Sequence, residues 1–543
     1  MCRCVLLGAT RKNEHGTSAA AATSGDGSPS TGELCQWSAC GHGRLGIYGR
    51  VHTRRDWLHN LKQDAEQIED ADKFVAVTAP FSGDTIGFCP VSKERDVDIA
   101  VKAAADAFET WGTRTMKDRA QIMIRFHGLI VTHRDELASL IVLEHGKTKT
   151  EALAEVDKGL ETIEYAISLP QLTQGKIAEV SRGITCQDSR RPLGVVVSIV
   201  PFNFPFMVPM WTLPIVVGLG NTLIVKPSEK VPLTMNRVAS LFRDAGFPPG
   251  VINIVHGAAG TARLLASHPT VAAVTFVGTS HVAELIHKQG RALNKRVLAL
   301  GGAKNHLVAS PDCKRDMTAQ DVVNSFTGCT GQRCMAASVL LTIGPQPDLI
   351  AEIVKRANAL AFSQDVGSGR MGPVIDAASV QRINAYVSES ELQGAEILLD
   401  GRQAVPPPGG ENGFWVAPSV VLHKKNSDKM LREEVFGPVL SILEVATKEE
   451  AIAFENANPY GNAACIYTND PWTADWFTRH FSAGMLGVNI GVPVPREPFS
   501  FGGINRSRFG DSDITGEGAI QFFTWNKKVT TKWAVPVESN WMS

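Results

Sequence analysis

Hydrophobic and polar positions alternate along residues 96–300 in two different ways. Up to about residue 175, apolar side chains recur at helical spacing, which predicts helices over 97–111, 118–133 and 134–145. From residue 194, short apolar runs alternate with amphipathic stretches of about 10–15 residues. This pattern predicts strands at 194–200, 222–226, 251–255, 272–277 and 295–300, with helices near 208–219, 232–245, 259–267 and 280–289. Strands separated by helices indicate a parallel, doubly wound sheet.

A second alternating series runs from 305 to about 490, so two α/β domains are predicted. The chain then ends in a β-type run at 528–535, which could extend a neighbour's sheet. The stretch 192–225 carries no charged residue and is long enough to span a bilayer. Its four internal prolines would each cost a helix roughly 3 kcal/mol, so no transmembrane segment is predicted.

Residues 1–64 differ from the rest of the chain. They are rich in Gly, Ser, Ala and Thr and show no apolar periodicity, so this segment is predicted to be disordered. Its basic residues fit a mitochondrial transit peptide, whereas Glu14, Asp26, Glu33 and Asp56 do not. The expected location is mitochondrial if the segment is a transit peptide, and cytoplasmic otherwise.

The composition is that of an ordinary globular protein, with 44% hydrophobic and 20% charged residues among 543 and a formal net charge of -1. This balance gives no electrostatic support for a nucleic-acid partner or a membrane surface. Ten scattered cysteines indicate free thiols in a reducing compartment. Cys2, Cys4, Cys35 and Cys40 lack the compact spacing of a zinc site, so no metal site is predicted.

Candidate chemistry begins with Cys334, in the run Gly-Gln-Arg-Cys-Met. A cysteine at a helix N-terminus and beside an arginine has a stabilised thiolate and becomes a good nucleophile. A lone cysteine is more often a small buried residue that packs a helix, and Cys313 and Cys329 are assigned to that class.

Three further segments follow predicted strands. Asn203, in the run Pro-Phe-Asn-Phe-Pro, could aim its amide at a developing oxyanion or simply cap a turn. Lys226 and Glu229 follow a strand at the sheet edge where dinucleotides bind, although a solvated Lys–Glu pair is also common. Gly278 and Ser280 precede a predicted helix and could contact a pyrophosphate. No Gly-x-Gly-x-x-Gly fingerprint follows any predicted strand, so a standard Rossmann dehydrogenase is not supported.

Together these motifs resemble those of the aldehyde dehydrogenase superfamily over roughly 65–535. The shared runs are Pro-Phe-Asn-Phe-Pro at 201–205, Lys-Pro-Ser-Glu at 226–229, Phe-Val-Gly at 276–278, Gly-Gln-Arg-Cys at 331–334 and Glu-Val-Phe-Gly-Pro-Val at 434–439. The resemblance implies an α/β fold of two doubly wound domains plus a bridging β element that forms homodimers or homotetramers. It divides the chain into an NAD-binding domain (65–172 and 195–304), a catalytic domain (305–497), and an oligomerisation element with a C-terminal tail (173–194 and 498–543).

The resemblance also implies a role for each candidate residue. Cys334 attacks the aldehyde, and Asn203 with the backbone N–H of Cys334 forms the oxyanion hole. Hydride then passes to NAD and leaves a thioester on Cys334. Cofactor contacts are implied for Phe202, for Lys226 and Glu229 at the adenosine ribose, for Gly278 and Ser280 near the pyrophosphate, and for Glu434 and Phe436 at the nicotinamide ribose. An acid at position 229 favours NAD over NADP, because a 2′-phosphate would meet a like charge.

One departure suggests a branch of the family. Ala299 stands where hydrolytic members carry a glutamate that activates water, and alanine cannot act as a general base. The chain is similar to the methylmalonate-semialdehyde dehydrogenases in the runs 302–306, 332–336 and 489–495. That branch oxidises methylmalonate or malonate semialdehyde, loses CO2 and passes the acyl group to coenzyme A. It implies a mitochondrial enzyme of valine and thymine catabolism that forms propionyl-CoA or acetyl-CoA.

A carboxylated substrate calls for cations. Arg333 stands beside the nucleophile, and its guanidinium fork suits a carboxylate. Lys158 occupies the position of the branch's second arginine and keeps its charge without the fork. Ala299 also differs from the branch's asparagine, which indicates a divergent member. Two alternatives remain open, namely a hydrolytic NAD-dependent dehydrogenase of another small aldehyde and a catalytically idle structural member of the fold.

Overall fold

The computed structural model describes residues 73–367 and 369–533. The segment 1–64, with its predicted disorder and transit peptide, lies outside the described residues. Within the described ranges, no helix is both long and apolar enough to cross a bilayer.

The described chain alternates helices and strands over most of its length. The helices are α1 (Glu94–Trp111), α2 (Met116–Thr132), α3 (Arg134–His145), α4 (Lys149–Ile167), α5 (Leu169–Leu172), α6 (Met207–Gly218), α7 (Leu233–Ala245), α8 (Ala259–Ser267), α9 (Ser280–Ala292), α10 (Arg315–Thr327), α11 (Pro347–Asn358), α12 (Ala377–Leu392), α13 (Lys448–Asn456), α14 (Pro471–His480) and α15 (Gly516–Phe522). The strands are β1 (Phe74–Thr78), β2 (Thr85–Pro90), β3 (Lys176–Ser181), β4 (Ile184–Pro192), β5 (Val195–Ile199), β6 (Thr222–Lys226), β7 (Ile252–Ile254), β8 (Val271–Val277), β9 (Arg296–Leu300), β10 (Asn305–Ala309), β11 (Ala337–Ile343), β12 (Ala361–Phe362), β13 (Arg370–Met371), β14 (Glu396–Leu399), β15 (Ser419–His423), β16 (Val439–Val445), β17 (Tyr460–Gly461), β18 (Ala463–Tyr467), β19 (Met485–Val488), β20 (Ile504–Asn505), β21 (Arg508–Phe509) and β22 (Thr524–Lys532).

Two mostly parallel sheets dominate the described part of the chain. The first has the strand order β21-β9-β8-β5-β6-β7, with β21 antiparallel to β9. The second has the order β14-β15-β16-β11-β10-β18-β19, with β14 antiparallel to β15. Every residue of β5 and β6 is buried, as expected for strands covered by helices on both faces. The predicted fold of two doubly wound α/β domains is confirmed.

A smaller antiparallel sheet, in the order β22-β4-β3, projects from the two domains. It pairs residues 524–532 with 184–192, so the two segments of the predicted oligomerisation element lie in one sheet. The final strand begins at Thr524, four residues before the predicted start. Position 535 lies outside the described residues.

The segment after residue 498 contacts more than the small sheet. Strand β21 joins the first sheet beside β9, and the buried residues of α15 pack into the core of that domain. Strand β21 and α15 thus add to the cofactor-side domain, β20 pairs with β17 of the catalytic region, and only β22 enters the small sheet. The hairpin β1–β2 was also not predicted, because its short strands precede the region of clear periodicity.

Candidate active site

The nucleophile candidate lies in a turn between α10 and β11. After α10 ends, Cys329, Thr330 and Gly331 adopt φ angles of 51°, 57° and 68°. A Cβ at Gly331 would lie 2.0 Å from the carbonyl oxygen of Gly437, so only glycine fits there. Cys334 follows in the turn that leads into β11. The prediction that Cys334 begins a helix is therefore wrong.

Two asparagines hold the main chain of the nucleophile. The Nδ2 atom of Asn305 donates to the carbonyl oxygens of Cys334 at 2.7 Å and Ala336 at 2.9 Å. The Nδ2 atom of Asn462 donates to the same Cys334 oxygen at 2.9 Å. Asn305 in turn accepts the N–H of Ala463 at 3.1 Å, which links the start of β10 to the start of β18. Neither asparagine was predicted to belong to the site, because their contacts with Cys334 form only once β10 and β18 pair.

Asn203 reaches the same turn from the other domain. It is 5% exposed, and its Nδ2 donates to the carbonyl oxygen of Gln332 at 3.0 Å. An amide nitrogen carries two protons, so one remains for an oxyanion. The structure therefore brings Asn203 and Cys334 together, as predicted; the oxyanion-hole role itself stays a prediction.

A buried ion pair holds the loop that carries Asn203. Lys147 donates to the backbone carbonyl of Asn203 at 3.0 Å and to Glu155 at 2.6 Å, with both charged side chains fully buried. Burial acts to lower the pKa of Lys147, but Glu155 together with Cys329 and Glu151 outweighs burial, and the pKa is raised. Glu155 also accepts the N–H groups of Phe206 and Met207 at 2.8 and 3.1 Å. Removing one member would leave a buried charge without its partner, which costs about 3–5 kcal/mol.

The thiol of Cys334 is less acidic than a free thiol. Burial raises its pKa to about 12, and the Glu434 carboxylate adds to the rise, while Arg333 acts in the opposite direction. Arg333 thus acts on the thiolate as predicted, but burial and Glu434 outweigh its effect. Cys334 and Glu434 line a small cavity of about 20 Å³. Burial raises the pKa of Glu434 to about 7, and its Oε1 accepts the N–H of Ala303 at 3.1 Å.

The two predicted carboxylate-binding cations already have partners. Arg333 directs its Nη2 at the carbonyl oxygens of Asn324, at 2.5 Å, and Ser325, at 3.0 Å, near the end of α10. Its Nε is buried and has no hydrogen-bond partner among the described residues. Lys158 lies 2.7 Å from Glu161 and 3.3 Å from Glu497. Their roles toward a substrate carboxylate stay predictions.

The predicted ribose-binding pair lies at the carboxyl end of β6. The Nζ of Lys226 lies 3.7 Å from Glu229 and donates to the carbonyls of Pro227, at 2.7 Å, and Gly257, at 2.5 Å. Lys226 is buried, whereas the Glu229 side chain is 29% exposed. A fixed ammonium beside an accessible carboxylate fits vicinal hydroxyl groups, which both donate and accept hydrogen bonds.

The Ser280 hydroxyl and the backbone N–H of Gly278 both make hydrogen bonds within the protein. The Ser280 hydroxyl donates to the carbonyl of Arg506 at 2.7 Å and accepts the N–H of Gly302 at 2.9 Å. The N–H of Gly278 donates to the carbonyl of Leu300 at 3.1 Å. These two donors bind the loops around β9, and the position of Gly278 and Ser280 near the pyrophosphate stays a prediction.

An aromatic group adjoins Glu434. Phe202 contacts Phe436 edge-on, with ring centroids 6.0 Å apart, and stacks on His145 at 6.1 Å. Phe436 has a positive φ of 52°. The two rings predicted to contact the cofactor therefore contact each other, beside the carboxylate predicted to bind the nicotinamide ribose. This set of aromatic faces and acceptors fits a dinucleotide.

Comparisons with known proteins agree with this geometry. The model of the aldehyde dehydrogenase family matches residues 67–529. The chain belongs to the aldehyde dehydrogenase family. The predictions of family and fold class are thus confirmed.

Individual relatives cover almost the whole matched region. Malonate-semialdehyde dehydrogenase 2 of Geobacillus kaustophilus is 40% identical over 467 residues, which are 85% of this chain and 96% of that protein. The crystal structure of a methylmalonate-semialdehyde dehydrogenase from Oceanimonas doudoroffii has a TM-score of 0.84 and 37% identity, covering 86% of this chain and 96% of its own. A Sinorhizobium meliloti protein assigned to the same activity, complexed with NAD, has the same TM-score, 33% identity and the same coverage of both chains.

In this aldehyde dehydrogenase, Ala299 does not face the nucleophile. It packs with Phe276 and Ile199 in an apolar cluster on the other face of the first sheet. Its neighbour Leu300 packs in the cluster that contains Cys334, because successive strand residues point to opposite faces. The prediction that Ala299 stands opposite the thioester is therefore wrong. The side chain of Leu300 lies on the face of the sheet toward Cys334, and leucine, like alanine, cannot act as a general base.

Proposed function

We propose that this chain is an NAD-dependent, CoA-acylating dehydrogenase of malonate or methylmalonate semialdehyde, which loses CO2 and forms acetyl-CoA or propionyl-CoA. The observation that carries the proposal is the apolar side chain of Leu300 on the Cys334 side of the sheet, since this side chain cannot activate water. The names of the relatives above support the substrate class.

The reaction begins with attack of the Cys334 sulfur on the aldehyde carbon. The second Nδ2 proton of Asn203 and the backbone N–H of Cys334 would stabilise the oxyanion of the thiohemiacetal. Asn305 and Asn462 hold the adjoining peptide, so the sulfur and its N–H stay in register with Asn203. NAD, when bound, accepts hydride from the carbon and leaves a thioester on Cys334.

Resolution of the thioester then depends on the acceptor. A thiolate is a strong nucleophile once ionised, so coenzyme A needs no water-activating base in the site. Before transfer, the bond from the α-carbon of the thioester to the substrate carboxylate breaks, CO2 leaves, and the α-carbon takes up a proton. Coenzyme A sulfur then replaces the Cys334 sulfur at the acyl carbon, and the released Cys334 takes up the thiol proton of coenzyme A. Leu300 thus slows hydrolysis without hindering transfer.

A hydrolytic dehydrogenase is the second candidate, and one observation favours it. Glu434 is a carboxylate with a pKa of about 7 that lines the same small cavity as Cys334. A base of that strength is suited to proton transfer near neutral pH. Glu434 is also the residue predicted to hold the nicotinamide ribose, and it cannot serve water while so engaged.

The deciding experiment measures NADH formation from methylmalonate semialdehyde and NAD, with and without coenzyme A, and identifies the acyl product. The proposal expects a requirement for coenzyme A and formation of propionyl-CoA. Equal NADH formation without coenzyme A, with accumulation of a free acid, would establish the hydrolytic candidate instead. Absence of NADH under both conditions, in a preparation that also fails with propanal, would favour the idle structural member.

We also propose that the protein is a homodimer or homotetramer assembled through the β22-β4-β3 sheet. Every residue of β3 is exposed in the monomer, including Ile177 at 73% and Val180 at 60%. Unpaired apolar edge strands of this kind favour pairing with another chain. A mitochondrial location and a role in valine and thymine catabolism are part of the same proposal. They rest on the basic bias of residues 1–64 and on the substrate class.

A further inference from the structure

Lys158 lies in an ion cluster that joins α4 to the loop before β20. Its Nζ is 2.7 Å from Glu161 and 3.3 Å from Glu497, and Arg496 lies 3.6 Å from Glu161. Two cations and two carboxylates balance within this cluster. Lys158 therefore presents no net positive charge to an approaching carboxylate.

The loop that carries Glu497 borders the nucleophile's surroundings. Val494 and Phe501, on either side of Glu497, pack in the same apolar cluster as Cys334. Between them, Pro495 and Pro498 line a cavity of about 680 Å³. That volume is in the range of small-molecule sites. Glu497 thus lies in the chain between two prolines that border this open space.

The pair of Lys158 and Glu497 is largely withdrawn from water. The Glu497 side chain is 8% exposed and that of Lys158 is 17% exposed. A carboxylate so placed needs a cation, because desolvation penalises an isolated charge. Two further carboxylates, Asp513 and Glu517, line the cavity, so this part of the molecule is acidic.

We propose that Glu497 is a specificity-determining residue that occupies Lys158 in place of a substrate carboxylate. The inference rests on the proposed function, since it states how the carboxylate of the semialdehyde is admitted. A carboxylated aldehyde must displace Glu497 from Lys158 before that ammonium can bind it. An uncharged aldehyde passes the cluster without disturbing it. Glu497 therefore raises the KM for carboxylated aldehydes relative to the KM for neutral aldehydes.

The test compares KM and kcat for malonate semialdehyde and propanal in the wild type and in Glu497→Gln. The substitution leaves the cluster with a net positive charge. The KM for malonate semialdehyde should fall about threefold to tenfold, whereas kcat and the KM for propanal stay unchanged. Glu497→Asp keeps the charge and should restore much of the wild-type KM. Glu352→Gln removes a carboxylate from the Lys355 and Arg356 pairs on α11 and should change neither KM.

Inhibition by malonate against propanal separates this inference from the proposed function. If Glu497 competes with carboxylates, the malonate inhibition constant should fall in Glu497→Gln by a similar factor. A wild type that oxidises propanal but not malonate semialdehyde would show that the proposed substrate is wrong, while the malonate constants would still decide the role of Glu497. Equal shifts for both aldehydes, or unchanged malonate inhibition, would overturn the competition.

Discussion

The side-chain amide of Asn305 donates a 2.7 Å hydrogen bond to the backbone carbonyl oxygen of Cys334, so the first residue of β10 holds the nucleophile's main chain. Asn305 is 5% exposed and also bonds Ala336 and Ala463, which makes it the junction of β10, β11 and β18. Placement of the sulfur therefore depends on strand pairing in the catalytic domain.

Asn305→Ala should lower kcat roughly tenfold or more, because reacting groups displaced by even an ångström lose much of their advantage. It should also lower the free energy of unfolding by about 1–3 kcal/mol, since buried partners lose their hydrogen bonds. Steady-state kinetics and thermal unfolding measure the two effects. A variant that loses stability but keeps its full kcat would contradict the positioning role.

Cys334→Ala should abolish NADH formation, because no other described thiol is held by this constellation. Cys329→Ala should keep most of the activity. Burial raises the pKa of the Cys329 thiol to about 11, and its backbone N–H is bonded to Glu151 at 2.6 Å. The rate of NADH formation is measured for both variants at saturating substrate. Equal losses would undo the assignment of the nucleophile.

The pH dependence of Cys334 alkylation tests its electrostatic environment. Because burial and then Glu434 raise the thiol pKa to about 12, the thiolate is scarce at neutral pH in the free protein. The rate of alkylation by iodoacetamide should therefore still be rising above pH 9. Glu434→Gln removes the nearby negative charge and should shift the profile to lower pH, while NADH formation falls.

Glu433→Gln is the matched control for that experiment. Glu433 carries the same charge one residue earlier, but it accepts a hydrogen bond from Tyr386 at 2.6 Å. Its substitution should leave the alkylation profile in place. If the two variants shift the profile equally, the effect belongs to the general field of the protein and not to Glu434.

Ser280→Ala distinguishes a structural from a cofactor-binding serine. Its hydroxyl joins Arg506 to Gly302, so the substitution should lower the free energy of unfolding by about 1–3 kcal/mol. The KM for NAD should change less than twofold in the folded enzyme. A large rise in that KM without loss of stability would support the predicted pyrophosphate contact.

Much of the fold followed from hydrophobic spacing. The strand predicted at 222–226 is β6, and those predicted at 194–200 and 295–300 differ from β5 and β9 by a residue or two. Uninterrupted apolar runs between amphipathic helices leave few alternatives to a covered parallel sheet. Strand β21 was missed, because two residues paired only through tertiary contact carry no periodic signal.

The candidate site was also predicted only in part from the sequence. The order of the motifs pointed to one family and to the candidate residues Cys334, Asn203, Lys226, Glu229 and Glu434. The structure brings Asn203 to the turn that carries Cys334 and places Glu434 in the cavity that Cys334 lines. The prediction from the motifs erred on Ala299, where a shift of one residue along β9 changes the face of the sheet. The motifs also gave no sign that the Ser280 hydroxyl donates to the carbonyl of Arg506, which is distant in the chain.

The amino-acid sequence by itself determined the two α/β domains, the family and the candidate nucleophile, because these depend on local spacing and on residue types in a fixed order. Only the tertiary structure decided which side chain of β9 faces Cys334, which amides hold its main chain and which carboxylate raises its pKa. Those relationships join residues from different strands and loops, and they exist only after the sheets pair. The same holds for Glu497 and Lys158, which are far apart in the chain and meet at one ion pair.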